Sequence, residues 1–104
     1  STLDRSSAAS DVYKRQAVTF FKALSDPTRL KLIVEIKQHD AICVCDLIEK
    51  LDQPQPTISR HLSHLRKAGL VTSERRGTWM WYALSPQLPD WCLDTIGSIK
   101  VDSV

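Results

Sequence analysis

Glycine is scarce in this chain, at three residues in 104, and so are cysteine (three) and methionine (one). Three scattered glycines leave no glycine-rich loop of the kind that cradles nucleotide phosphates. Three cysteines, an odd number, make no disulfide framework and suit a reducing compartment, so a cytoplasmic location is expected. Long apolar runs are missing too. The clusters "LIV" (32–34) and "AVTFF" (17–21) fall far short of a membrane span, and no basic patch leads into an apolar stretch as in a signal peptide. No spacing of Cys, His and Asn/Asp sets a base beside a thiol, so no enzyme is expected.

What remains is ordinary in bulk and uneven in distribution. Apolar residues are 42% and charged residues 25%, as in globular domains, and 104 residues make one domain with a modest core. Net charge is only +2, yet residues 53–82 carry Arg60, Arg66, Lys67, Arg75 and Arg76 against the single acid Glu74. A local basic surface on a near-neutral chain is the footprint expected of nucleic-acid binding; a solvated basic face is the plainer alternative.

The first fifteen residues are polar, aperiodic and lack an initiator Met, so they are expected to be a leader, frayed or adapter-derived. The domain is expected over 16–104. Ala17, Phe20, Phe21 and Leu24 recur at helical spacing. Asp26 and Pro27 then form a cap and first position for a second helix, with Leu30, Ile33, Val34 and Lys37 predicted down one side. A third helix is predicted to start at Cys43, and a fourth near Pro56 with Ile58, Leu62 and Leu65 inward and Gly69 as its stop. Beyond Gly69 the pattern changes. "LVTSERR" and "TWMWYAL" read as a hairpin around Gly77, and a last helix carries Leu88, Cys92, Ile96 and Ile99 on one face. The predicted fold class is mostly α with a small β-hairpin (α+β), a winged helix-turn-helix, dimeric.

From Phe20 to Trp91 the sequence resembles the ArsR/SmtB family of metal-sensing repressors, and most closely its arsenic-responsive branch. The likeness is carried by "FKALSDPTRLKLI", "ICVCDLIEKLDQPQPTISRHLSHLRKAGLV" and "RRGTWMWYALSP". Two departures stand out: the family's "CVCDLC" reads "CVCDLI" here, with Ile48 replacing a cysteine, and Pro54 stands where relatives carry a capping Ser. The resemblance implies a repressor that binds double-stranded operator DNA as a homodimer through its first and last helices, away from any membrane. It also implies release by As(III) or Sb(III).

The fourth helix is the candidate reader. A rotation of about 100° per residue sets Pro56, Arg60, Ser63 and Lys67 opposite its apolar stripe. Recognition helices read bases mostly with their N-terminal residues, which nominates Gln55, Thr57, Ser59, Arg60 and His61 for the major groove. His64, Arg66 and Lys67 are expected on phosphates, and Arg75 and Arg76 on backbone or minor groove at the hairpin tip. Half-sites should lie about 34–36 Å apart under a dimer.

Cys43 and Cys45 are the candidate ligands for a soft ion. Side chains two residues apart in a regular helix diverge by about 200°, so both thiols meet one ion only if Cys43 sits at the cap or the first turn gives way. A helix start is expected to lower their thiol pKa. Cys92 is the available third sulfur, although its place on an apolar stripe suits packing better. Without it the pair would take an external thiol or a methylated arsenical. Cadmium or lead sensing and a thiol redox switch stay open, as does a winged helix that binds RNA or protein.

Overall fold

In the computed structural model the backbone is described for residues 8–99 and side chains from residue 15. Five helices and three strands follow in the order α1 (Ala8–Ala23), α2 (Pro27–Lys37), β1 (Ile42–Cys43), α3 (Val44–Leu51), α4 (Gln55–Lys67), β2 (Val71–Arg76), β3 (Trp79–Leu84) and α5 (Asp90–Ser98). Helix α1 reaches further upstream than the Ala17–Leu24 period indicates, into the stretch expected to be a leader. Residues 1–7 and 100–104, at the ends of that leader and of the expected domain, lie outside the described residues.

Helix α2 starts as its sequence dictates. Asp26 is extended, and its Oδ2 accepts the N–H groups of Thr28 (2.9 Å) and Arg29 (3.2 Å) ahead of Pro27. Such a cap is worth about 1 kcal/mol. Its inward face differs from the expected stripe: Leu32, Ile33 and Ile36 are fully buried, Leu30 and Val34 half-buried, and Lys37 exposed. The reason is position. Helix α2 packs against α3, α4, α5 and β3 at once, so its burial is set by several neighbours rather than by one seam.

The sheet is antiparallel with order β1-β3-β2. Strand β1, two residues long, has no period to read and is not among the elements expected from the sequence. It pairs Ile42 with Tyr82 and Cys43 with Trp81. The hairpin β2–β3 runs in register from Val71–Leu84 to Arg76–Trp79. Its two-residue loop has Gly77 at φ +63° while Thr78 stays at negative φ, the arrangement of a type II′ turn. Helix α1 closes the far side through rings: Phe20 meets Trp91 of α5 edge-on at 5.1 Å. Helices α3 and α4, joined by Asp52, Gln53 and Pro54, form the helix-turn-helix, and the hairpin is its wing.

Helix α4 ends in a glycine stop. Gly69, at φ +82°, donates to the Arg66 carbonyl, and Leu70 N–H reaches back to the Leu65 carbonyl, both at 3.0 Å. Leu65 and Leu70 are both buried beneath this turn, which hands the chain from α4 to the wing. A Cβ at Gly69 would meet no atom within 4 Å, so Gly69→Ala tests backbone conformation without a clash. It should destabilise the domain by about 1–2 kcal/mol, read from urea unfolding midpoints, with an unchanged m-value.

Candidate DNA-reading surface and thiol pair

The buried stripe of α4 comprises Ile58, His61, Leu62 and Leu65. Outside that stripe, Gln55, Ser59, Arg60, His64, Arg66 and Lys67 are exposed, and Thr57 and Ser63 are half-buried. Of the nominated base readers, Gln55, Ser59 and Arg60 are free to enter a groove and Thr57 lies at its flank. His61 is a correction. It is only 8% exposed and turned inward, because it follows Ile58 by three residues and shares that inward face. The helical period carried this signal; the polarity of histidine masked it.

The partners of His61 explain its burial. Arg29 Nη1 lies 3.2 Å from His61 Nδ1, and Asp26 Oδ2 lies 3.8 Å from the same atom. Arginine only donates, so Nδ1 accepts and the ring proton sits on Nε2 of a neutral imidazole. Burial lowers the His61 pKa first, Asp26 opposes this, and Arg29, Arg60 and His64 add to the depression. For Asp26, partial burial pushes upward, but the Arg29 and Thr28 N–H groups, the electrostatic pull of the His61 ring and the Arg29 charge leave its pKa lowered. Arg29 also donates from Nε to the Ala23 carbonyl at 2.6 Å. One guanidinium thus ties the end of α1 and the start of α2 to the middle of α4.

At the wing, Arg75 and Arg76 are exposed, but the pleat points them to opposite faces of the hairpin. Arg75 Nε donates to the Gly77 carbonyl at 3.4 Å. Arg76 lies over the Trp81 ring at 4.9 Å and 3.5 Å from Glu74 Oε1. The two guanidiniums therefore stand apart on the wing rather than together.

Cys43 occupies the N-cap of α3 in extended conformation (φ −69°, ψ 144°), and its Sγ accepts the Cys45 N–H at 3.4 Å. Standing outside the helix, it escapes the divergence of a regular turn, and its sulfur sits over the first turn, where the Cys45 N–H reaches it. Cys43 is buried and Cys45 half-exposed. The expected lowering of thiol pKa does not hold for Cys45. The bond to Cys43, then burial, then the charges of Cys43 and Asp46 push it upward and outweigh the Asp46 N–H.

Cys92 stands apart, 1% exposed in the core, with burial raising its pKa. Among the described residues no three His, Cys, Asp or Glu side chains gather into a metal site, so within one protomer the third sulfur is not brought to the pair.

Comparison with known proteins agrees with this geometry. The family described as "Bacterial regulatory protein, arsR family" matches residues 26–73. An arsenical resistance operon repressor of Escherichia coli is 44% identical over 76% of this chain and 68% of its own length. An arsenic resistance transcriptional regulator of Pseudomonas putida is also 44% identical, over 68% of this chain and 56% of its own. The homodimeric winged helix-turn-helix domain of a Mycobacterium bovis protein superposes with a TM-score of 0.73 over 89% of this chain and 82% of its own, at 22% identity. That last likeness concerns the fold alone.

The buried neutral imidazole has a consequence in solution. Because the folded-state pKa of His61 lies below the ordinary value, its stabilisation is complete above about pH 6.5 and is lost as pH falls through the lower folded value. Urea unfolding between pH 7.5 and 5 should show falling stability, and His61→Gln, which retains an acceptor for Arg29, should flatten that slope.

Proposed function

This chain belongs to the ArsR family of bacterial regulatory proteins, and we propose that it is an operator-binding repressor that a trivalent arsenical releases through Cys43 and Cys45. The coarser part follows from the family: a winged-helix transcriptional regulator that binds DNA, in a family of regulators rather than enzymes. Among the described residues, no helix is long and apolar enough to cross a membrane. The observation that carries the finer reading is that Cys43 Sγ caps the first helix of the helix-turn-helix through the Cys45 N–H. A ligand that takes both thiolates removes this cap and draws a buried side chain outward.

Two elements feel that change. Helix α3 loses its first-turn acceptor, and the turn that sets α4 hangs from its far end. The wing is reached as well, because Cys43 pairs with Trp81, and the Trp81 ring carries Arg76. Ligation at one cap therefore disturbs both DNA-facing parts. By linkage, DNA weakens ligand binding by the factor with which ligand weakens DNA binding, on the order of 5–150-fold for typical coupling.

Trivalent arsenic or antimony takes three donors, and the pair offers two. An external thiol, or the methyl group of a methylated arsenical, supplies the third position, while Cys92 remains packing. Half-exposed Cys45 meets the ligand first and Cys43 follows. On the DNA side, Gln55, Thr57, Ser59 and Arg60 read bases, a bidentate Arg60–guanine contact giving about 1–3 kcal/mol of discrimination. His64, Arg66, Lys67 and the two wing arginines hold the backbone. Dimerisation is assigned to α1 and α5, because Val18 and Phe21, three residues apart on α1, are exposed apolar side chains (51% and 52%) and Phe21 lies 6.0 Å from the Trp91 ring of α5.

A mobility shift on the DNA upstream of the chain's own gene tests the sensor. Arsenite should release the wild type and Cys92→Ser alike, whereas Cys43→Ser, which keeps a capping oxygen, and Cys45→Ser should stay bound. Wild-type complexes that survive arsenite but dissociate in peroxide would replace metalloid sensing with redox sensing. In sedimentation, Phe21→Glu should shift the protein toward monomer and weaken operator binding in parallel.

A further inference from the structure

Beside the recognition helix lies an open hollow of about 310 Å³, formed where α1, α2 and α4 converge. Its walls carry Lys22 and Thr19 from α1, Arg29 from α2, and His64 and Lys67 from α4, with two alanines between them and no carboxylate. Three permanent cations and an imidazole around one concavity repel each other unless an anion joins them. Asp26, the acid that caps α2, is already committed to the Thr28 and Arg29 N–H groups.

We propose that this hollow seats a backbone phosphate of the DNA, so that Lys22 and Arg29, both outside the helix-turn-helix, are DNA-contacting residues. The inference rests on the operator-binding reading above and extends its contact surface to the first two helices. Three observations favour it. First, Lys67 belongs to the outward face of α4 and His64 to its flank, so a duplex laid along that face passes over the hollow. Second, Arg29 arrives already oriented. Its Nε is held by the Ala23 carbonyl and its Nη1 by His61, while the rest of its five-donor fork remains for an oxygen. Third, the hollow is open to solvent, which suits a phosphodiester attached to a larger polymer better than an enclosed small ion.

This arrangement also gives inward-turned His61 a part in binding. By accepting from Arg29 as a neutral ring, it positions the guanidinium without adding a competing charge. A phosphate held here would set how deeply and at what angle α4 enters the groove, and it would carry no base preference of its own.

Operator and unrelated duplexes of equal length, titrated by fluorescence anisotropy across a salt series, provide the test. Exposed Lys22 is the variant of choice, with thermal unfolding as its folding control, because Arg29→Ala would also untie α1 from α4. Lys22→Ala should weaken both duplexes by the same factor and reduce the slope of log K against log salt by about 0.9 for each phosphate no longer neutralised. Lys22→Glu should weaken them further, with the specificity ratio unchanged. Wild-type affinity and slope in Lys22→Ala would overturn the inference while leaving operator binding intact. The same result, accompanied by stabilisation of the wild type but not Lys22→Ala by inorganic phosphate, would assign the hollow to a free anion and overturn it equally. A wild type that binds no duplex would remove the operator-binding reading and this inference together.

Discussion

The polar knot of Asp26, Arg29 and His61 fixes where the recognition helix sits. Hydrophobic burial of Leu32, Ile33, Ile36, Ile58, Leu62 and Leu65 brings α2 and α4 together but is non-directional, and alone it would tolerate rotation and sliding. The knot supplies direction. Arg29 binds the Ala23 carbonyl and His61, Asp26 caps α2 and faces His61, and Gln53 from the turn reaches Thr28 at 3.5 Å. Each group is costly to bury unpartnered, so together they select one registry of three helices.

Helix α4 needs that outside support because its own start is weak. Pro54 provides no side-chain cap, so the first turn lacks the acceptor that a Ser or Asp would offer there. The bracing comes from α2 on one side and α3 on the other. This makes α3 a sensitive place for a thiol pair, since its first turn is capped by the same sulfur that a soft ligand would claim. The short β1 pairing ties the same cysteine to Trp81 of the wing.

Charge follows the same division between local and distributed features. The basic stretch 53–82 looks in sequence like one continuous patch, but the fold distributes it. Arg60 and Lys67 face outward from α4, Arg66 sits on the flank away from His64, and Arg75 and Arg76 part across a pleat. Lys22 and Arg29, remote in sequence from that stretch, join His64 and Lys67 in one hollow.

Local periodicity and special backbone positions were enough to specify the Asp26–Pro27 start, Cys43 as a cap, the inward face of Ile58, Leu62 and Leu65, the Gly69 stop and the Gly77 hairpin. Each is settled within a few residues by dihedral preference or by the 3.6 and 2 periods. Packing across the core was needed to make residues 42–43 a strand, to bury α2 on a broader face, to turn His61 inward to Arg29, and to keep Cys92 away from the thiol pair. These outcomes depend on partners tens of residues away, on which local preference is silent. A histidine or cysteine takes its role from the groups that meet it across the core.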